Sequence, residues 1–122
     1  MSTPPTPSTW RRALSAVVAV AAVALLVVAL QAWTSSEEIE VTVAAGTAER
    51  IAAGEEIELL PRTLEVEVGD RLEIINLDDA THEVGPYTVA AGQTLTQTFT
   101  SPGILEGACT LHPSGEITIV IR

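Results

Sequence analysis

The sequence holds one cysteine, two histidines, no lysine and a single methionine, Met1. Each scarcity excludes something. With Cys109 as its sole cysteine the chain cannot form an internal disulfide, which leaves a small buried apolar residue, an intermolecular disulfide or a functional thiol. His82 and His112 are too few for a three-histidine zinc site. Aromatic residues are equally sparse, so Tyr87 and Phe99 read as core or rim packing. The lack of lysine beside abundant Ala, Val, Gly and Arg reads as a matter of genomic base composition.

Positive charge is scarce and unevenly placed. Only Arg11 and Arg12 precede Thr34; beyond it sixteen acids face Arg50, Arg62, Arg71 and Arg122, which puts the outer part at −12. Such a surface repels nucleic acid and anionic headgroups and attracts cations, so no nucleic-acid partner is expected. The carboxylates are scattered at strand alternation and read as a solvated face rather than a catalytic pair, and the chain is not expected to be an enzyme.

Apolar residues crowd into one run. Ala13 to Leu30 is eighteen residues with Ser15 as the only polar one. At about 1.5 Å per residue the run gives about 27 Å of helix, and extension through Trp33 reaches the roughly 30 Å of a hydrocarbon core. Residues 1–12, with prolines among Ser and Thr, read as a disordered cytoplasmic tail, 13–33 as a transmembrane helix or signal anchor, and 34–122 as one outer domain. Arg11 and Arg12 before the run and Glu37, Glu38 and Glu40 after it place the domain outside the cytoplasm. Trp10 and Trp33 bracket the span as interfacial anchors. A signal peptide cleaved near Ala29 or Ala32 would instead leave a secreted domain, but the run exceeds the usual h-region of about 7–15 residues. The Arg11-Arg12 pair fits a twin-arginine signal poorly.

Beyond Ser36 the period changes to two. Ile39, Val41 and Val43 alternate with acidic or polar residues, as do Leu64, Val66 and Val68; Gly69-Asp70 turns into a strand from Arg71 to Asn76. Thr94 to Phe99 and the alternating Ile117, Ile119 and Ile121 add two more. Ala48 to Ala53 predicts a helical turn and Glu56 to Leu60 a short strand. Short strands with Gly, Pro and Asp between them predict an all-β fold, an antiparallel sandwich or barrel.

The second histidine follows the only cysteine by three residues. Asn76-Leu77-Asp78-Asp79-Ala80-Thr81-His82 sets His82 just beyond a strand, and Cys109 to His112 falls in the loop leading into the last strand. Loops at one end of a sandwich can converge. A thiolate and two imidazoles form a soft three-donor set that suits copper, whereas zinc would want a fourth ligand.

These stretches resemble the cupredoxins, the blue copper proteins that include plastocyanin, azurin and amicyanin. The resemblance covers Ile39 to Ile121. It rests on Val66-Glu67-Val68-Gly69-Asp70, the Asn76 to His82 segment, Gly92 before the strand ending at Phe99, Pro102-Gly103, and Cys109-Thr110-Leu111-His112-Pro113. It implies a cupredoxin-like Greek-key β-sandwich of eight strands and one copper ion in a type 1-like site on His82, Cys109 and His112. Two departures stand out. The family commonly has a methionine a few residues after the last histidine as a weak axial ligand, where this chain has Pro113, Ser114, Gly115 and Glu116. Many relatives carry asparagine where this chain has Glu83. The axial position is then open, or filled by the Thr81 carbonyl, water, Glu83 or Glu116; a glutamate after a strand ligand faces the other way, which favours a weak axial donor.

The resemblance implies a membrane-tethered one-electron carrier, monomeric, working with a redox partner that has a basic docking surface. An apolar patch at Leu111, His112 and Pro113 would be the alternative docking face. Two other functions use the same residues: copper delivery, buffering or sensing, and a redox-silent interaction module.

Overall fold

The computed structural model describes residues 7–32 and 35–122, which divide into two compact units at Ser35. The first is one helix, α1 (Pro7–Ala32), of 26 residues, about 39 Å long at 1.5 Å per residue. Its stretch Trp10–Leu30 is long and apolar enough to cross a membrane, and none of it is buried. Ser15 donates its hydroxyl to the Arg11 carbonyl at 2.7 Å, so the one polar side chain of the run is satisfied within the helix.

The expected tail is shorter than its composition suggests. The helix starts at Pro7, so residues 7–12 are helical. Proline is tolerated in a first turn, where its missing N–H has no intrahelical partner to lose. The rest of the expected tail, residues 1–6, and Trp33 lie outside the described residues.

The second unit has eight strands, β1 (Glu38–Val43), β2 (Thr63–Val66), β3 (Arg71–Asn76), β4 (His82–Val84), β5 (Tyr87–Val89), β6 (Thr94–Thr98), β7 (Gly103–Ala108) and β8 (Glu116–Ile121). A short helix, α2 (Thr47–Ala52), sits between β1 and β2. One sheet runs β1-β3-β6, another β2-β8-β7, and β4 and β5 form a separate hairpin. Alternate residues of both three-stranded sheets enter one core. Val41, Val43, Leu72 and Ile74 meet Leu64, Val66, Ile117 and Ile119 there, which is the inward-facing half of a sandwich.

The pairing corrects the antiparallel expectation in part. β1 runs parallel to β3, with Val41 opposite Ile74, and β2 runs parallel to β8, with Leu64 opposite Ile119. Period-two alternation reports which face is buried and is the same for either direction. Direction follows from the route: the chain leaves β1 for the other sheet, makes β2, and returns through Glu67–Asp70 to lay β3 beside β1. Asp70 fixes that return. Its buried carboxylate accepts the N–H groups of Glu67 at 2.8 Å and Glu37 at 2.7 Å.

Two further expectations fail locally. β2 ends at Val66, and Val68 is about half exposed in the turn. Glu56 to Leu60 forms no strand; it is held by Leu59 N–H on the Leu111 carbonyl at 2.9 Å and by burial of Leu60.

Ile119 lies in the middle strand of its sheet and is fully buried, whereas Ile104 on β7 is 65% exposed. Ile119→Ala should cost about 2–5 kcal/mol, from lost transfer energy plus a cavity. Ile104→Ala should stay within about 0.5 kcal/mol. Chemical denaturation of the two variants checks which face of the β2-β8-β7 sheet is interior.

Candidate metal centre

The segment between β3 and β4 is bent by Asn76, which is fully buried. Its side-chain amide donates to the carbonyls of Ala80 at 2.8 Å and of Val89 and Ala90 at 3.1 Å, and its oxygen accepts Asp78 N–H at 3.0 Å. That bend aims Asp78 inward. Although the carboxylates read as a solvated face from the sequence, Asp78 is buried and accepts four hydrogen bonds. Gly46 and Ala48 N–H reach it from the start of α2 at 3.0 and 2.8 Å, Asp79 N–H at 2.9 Å, and His82 Nε2 at 2.8 Å. The imidazole bond first, and then the backbone N–H groups, hold its carboxyl well below the usual carboxylate range against the opposing effect of burial.

His82 opens β4 and is itself buried. An ionised Asp78 accepts only, so His82 donates from Nε2, and in a neutral ring the lone pair is then at Nδ1. That nitrogen lies 3.0 Å from the hydroxyl of Thr110, which also accepts Glu83 N–H at 3.1 Å. β4 is joined to the cysteine loop along this edge: Val84 bridges Cys109, Thr110 N–H donates to the Glu83 carbonyl at 3.0 Å, and Gly85 N–H to the Ala108 carbonyl at 2.7 Å.

Cys109 is a free thiol at 1% exposure. Burial pushes its pKa up, and the backbone N–H groups of Leu111 and His112 oppose that shift. Its own N–H closes the loop on the Gly115 carbonyl at 2.9 Å, and Gly115, at φ 75°, returns N–H to the His112 carbonyl at 3.0 Å. Within this loop Ser114 brackets Nδ1 of His112, with its N–H at 3.0 Å and its hydroxyl at 2.7 Å. Nε2 of His112 faces the Glu58 carboxylate at 3.8 Å. Cys109 and His112 line one cleft of about 410 Å³ together with Ile51, Ile57 and Pro113.

The three expected ligands are therefore brought into one neighbourhood through Thr110, but not onto a single point. Among the described residues no three His, Cys, Asp or Glu side chains are gathered closely enough to hold a metal as they stand. The donor chemistry nonetheless fits copper: one thiol shielded from water and two imidazoles. The two carboxylates expected as possible axial donors are turned to solvent. Glu83 is exposed between the buried His82 and Val84, and Glu116 is exposed and paired with Arg62 at 3.2 Å. The apolar docking face is also reduced, because Leu111 is fully buried.

Sequence reasoning missed Asp78, Thr110 and Ser114 as partners of the histidines. The signal for Asp78 was its place four residues before His82, at the foot of the loop that leads to it. Its depressed pKa sets a sign for pH. The stability it contributes is present above the unfolded aspartate value of about 4 and is lost as pH falls below it. Asp78→Asn should unfold at lower denaturant than the parent at pH 7, and the gap should shrink as pH is lowered to about 3. A gap independent of pH would show that the carboxylate charge is not its source.

No family model and no curated protein matches the chain. Among solved structures it aligns with a purple cupredoxin from Nitrosopumilus maritimus at 18% identity, covering 69% of this chain and 99% of that one with a TM-score of 0.44. A copper(I) form of an amicyanin variant aligns at 23% identity over 75% of this chain and 88% of that one, with a TM-score of 0.43. A reduced amicyanin variant aligns at 22% identity over 70% of this chain and 82% of that one, with a TM-score of 0.43.

Proposed function

We propose that the outer domain holds one copper ion on His82, Cys109 and His112 and carries single electrons outside the membrane in which α1 anchors it. The observation that supports this most is the environment of Cys109. Its sulfur is shielded from water and sits on a loop hydrogen-bonded to the strand that bears His82. Burial raises the pKa of the free thiol, and metal coordination would deprotonate it.

Copper supplies a one-electron couple that needs little rearrangement in a soft, low-coordinate site. The chain's part is to fix the donors. Asp78 holds the His82 ring in orientation and tautomer, as carboxylates do behind metal-bound histidines. Binding through Nδ1 would require His82 to exchange the Thr110 hydroxyl, and His112 the Ser114 N–H and hydroxyl, for the ion. With Glu83 and Glu116 turned to solvent and no methionine in the loop, none of these side chains would serve as a strong fourth donor, which would favour Cu(I) and a potential above that of methionine-ligated relatives. His112 at the cleft is the route for the electron, and Glu55, Glu56 and Glu58 beside it favour a cationic partner.

Four outcomes are expected. Full-length protein in detergent binds one copper per chain and shows an intense thiolate-to-copper band when oxidised. Cys109→Ser abolishes the band, while Glu83→Gln and Glu116→Gln leave band and potential unchanged; a large change in either refutes the weak-axial reading. Electron transfer to a basic soluble partner slows as salt rises, through screening of the −12 outer charge. A salt-independent rate would count against an electrostatic docking face. Membranes washed at high salt should retain the chain, since apolar transfer rather than charge holds α1.

A further inference from the structure

Two glycines meet where the hairpin that carries His82 crosses the strand that leads into Cys109. Gly85 forms the β4–β5 turn with Pro86 at φ 57°, and Gly107 is the penultimate residue of β7. A methyl group on Gly107 would lie 2.8 Å from the carbonyl carbon and oxygen of Gly85 and 2.9 Å from its Cα. All three are backbone atoms, so nothing flexible can yield; the hairpin itself would have to lift. The bonds that would break with it are Gly85 N–H to the Ala108 carbonyl and Thr110 N–H to the Glu83 carbonyl. His82 is three residues from one glycine, and Cys109 is two from the other. Gly69, in the turn at the opposite end of β3, has φ 102° but open space around it.

We propose that the backbone contact of Gly85 with Gly107 is a spacer that sets the distance between His82 and Cys109. Gly107 is then a positioning residue for the metal centre, a role that rests on the copper reading above. Glycine is required there by close approach alone, since Gly107 has no left-handed φ. Displacement at this contact passes directly to both donors, because only short, hydrogen-bonded backbone separates them from it. Metal sites tolerate little such displacement.

The test compares Gly107→Ala with Gly69→Ala in the full chain. In metal-free protein, amide exchange at Gly85 and Thr110 should accelerate in Gly107→Ala and not in Gly69→Ala beyond its global loss of stability. With copper added, Gly107→Ala should shift the thiolate band and weaken copper binding about 10–100-fold, whereas Gly69→Ala keeps the parent spectrum. Parent-like exchange and spectrum in Gly107→Ala, or the same changes in both variants, overturn the spacer. If Gly107→Ala does not fold, the parent decides: Gly85 and Thr110 amides must exchange as slowly as Ile119, and faster local opening refutes the clamp. A parent that takes up no copper overturns the metal reading, and the exchange pattern alone then decides the spacer.

Discussion

A single buried carboxylate organises the end of the domain where the candidate ligands lie. Asp78 accepts N–H groups from α2, from its own loop and from His82. Each is a charge-assisted bond in a site closed to water, so none can be lost without leaving charge or donor unmatched. The consequence is mechanical as much as electrostatic. Asp78 ties α2, which precedes the 55–60 segment beside the cleft, to the strand bearing His82, so both walls of the site take their position from one side chain.

Around that tie the two sheets act as a frame. β3 delivers the Asn76 bend, and β7 and β8 deliver the two ends of the cysteine loop, which Cys109 N–H closes on Gly115. Leu111, buried between the two polar members of Cys109-Thr110-Leu111-His112, pins the loop to the core and faces its carbonyl to Leu59. The loop is therefore held by backbone bonds on both sides, and its side chains are free to serve chemistry.

The sequence made some of this legible and hid the rest for physical reasons. Strands with one interior face, such as β1, β3 and β8, announced themselves by alternation, and the apolar run announced α1. β4 and β5 are only three residues each, too short for a period to register, and β7 carries two glycines and no alternation. Parallel pairing was hidden because alternation does not encode a partner. His82, Cys109 and His112 were conspicuous by scarcity, but what occupies their polar atoms was not: Asp78 is one acid among sixteen, and its burial against His82 distinguishes it. Thr110 and Ser114 reach the imidazoles through loop geometry that no spacing rule contains.

The place of β8 has a consequence for how the domain is made. It is the last strand, yet it lies between β2 and β7, with Ile121 opposite both Val66 and Gly103. β2 has no neighbour in its sheet until β8 arrives, and the cysteine loop has no second end to close on. Synthesis can complete the β1-β3-β6 sheet while the other still waits. The second sheet therefore closes only after β8 has been made. The cysteine loop is among the last parts of the domain to close, so the surroundings of Cys109 take their final form only when both sheets have all their strands.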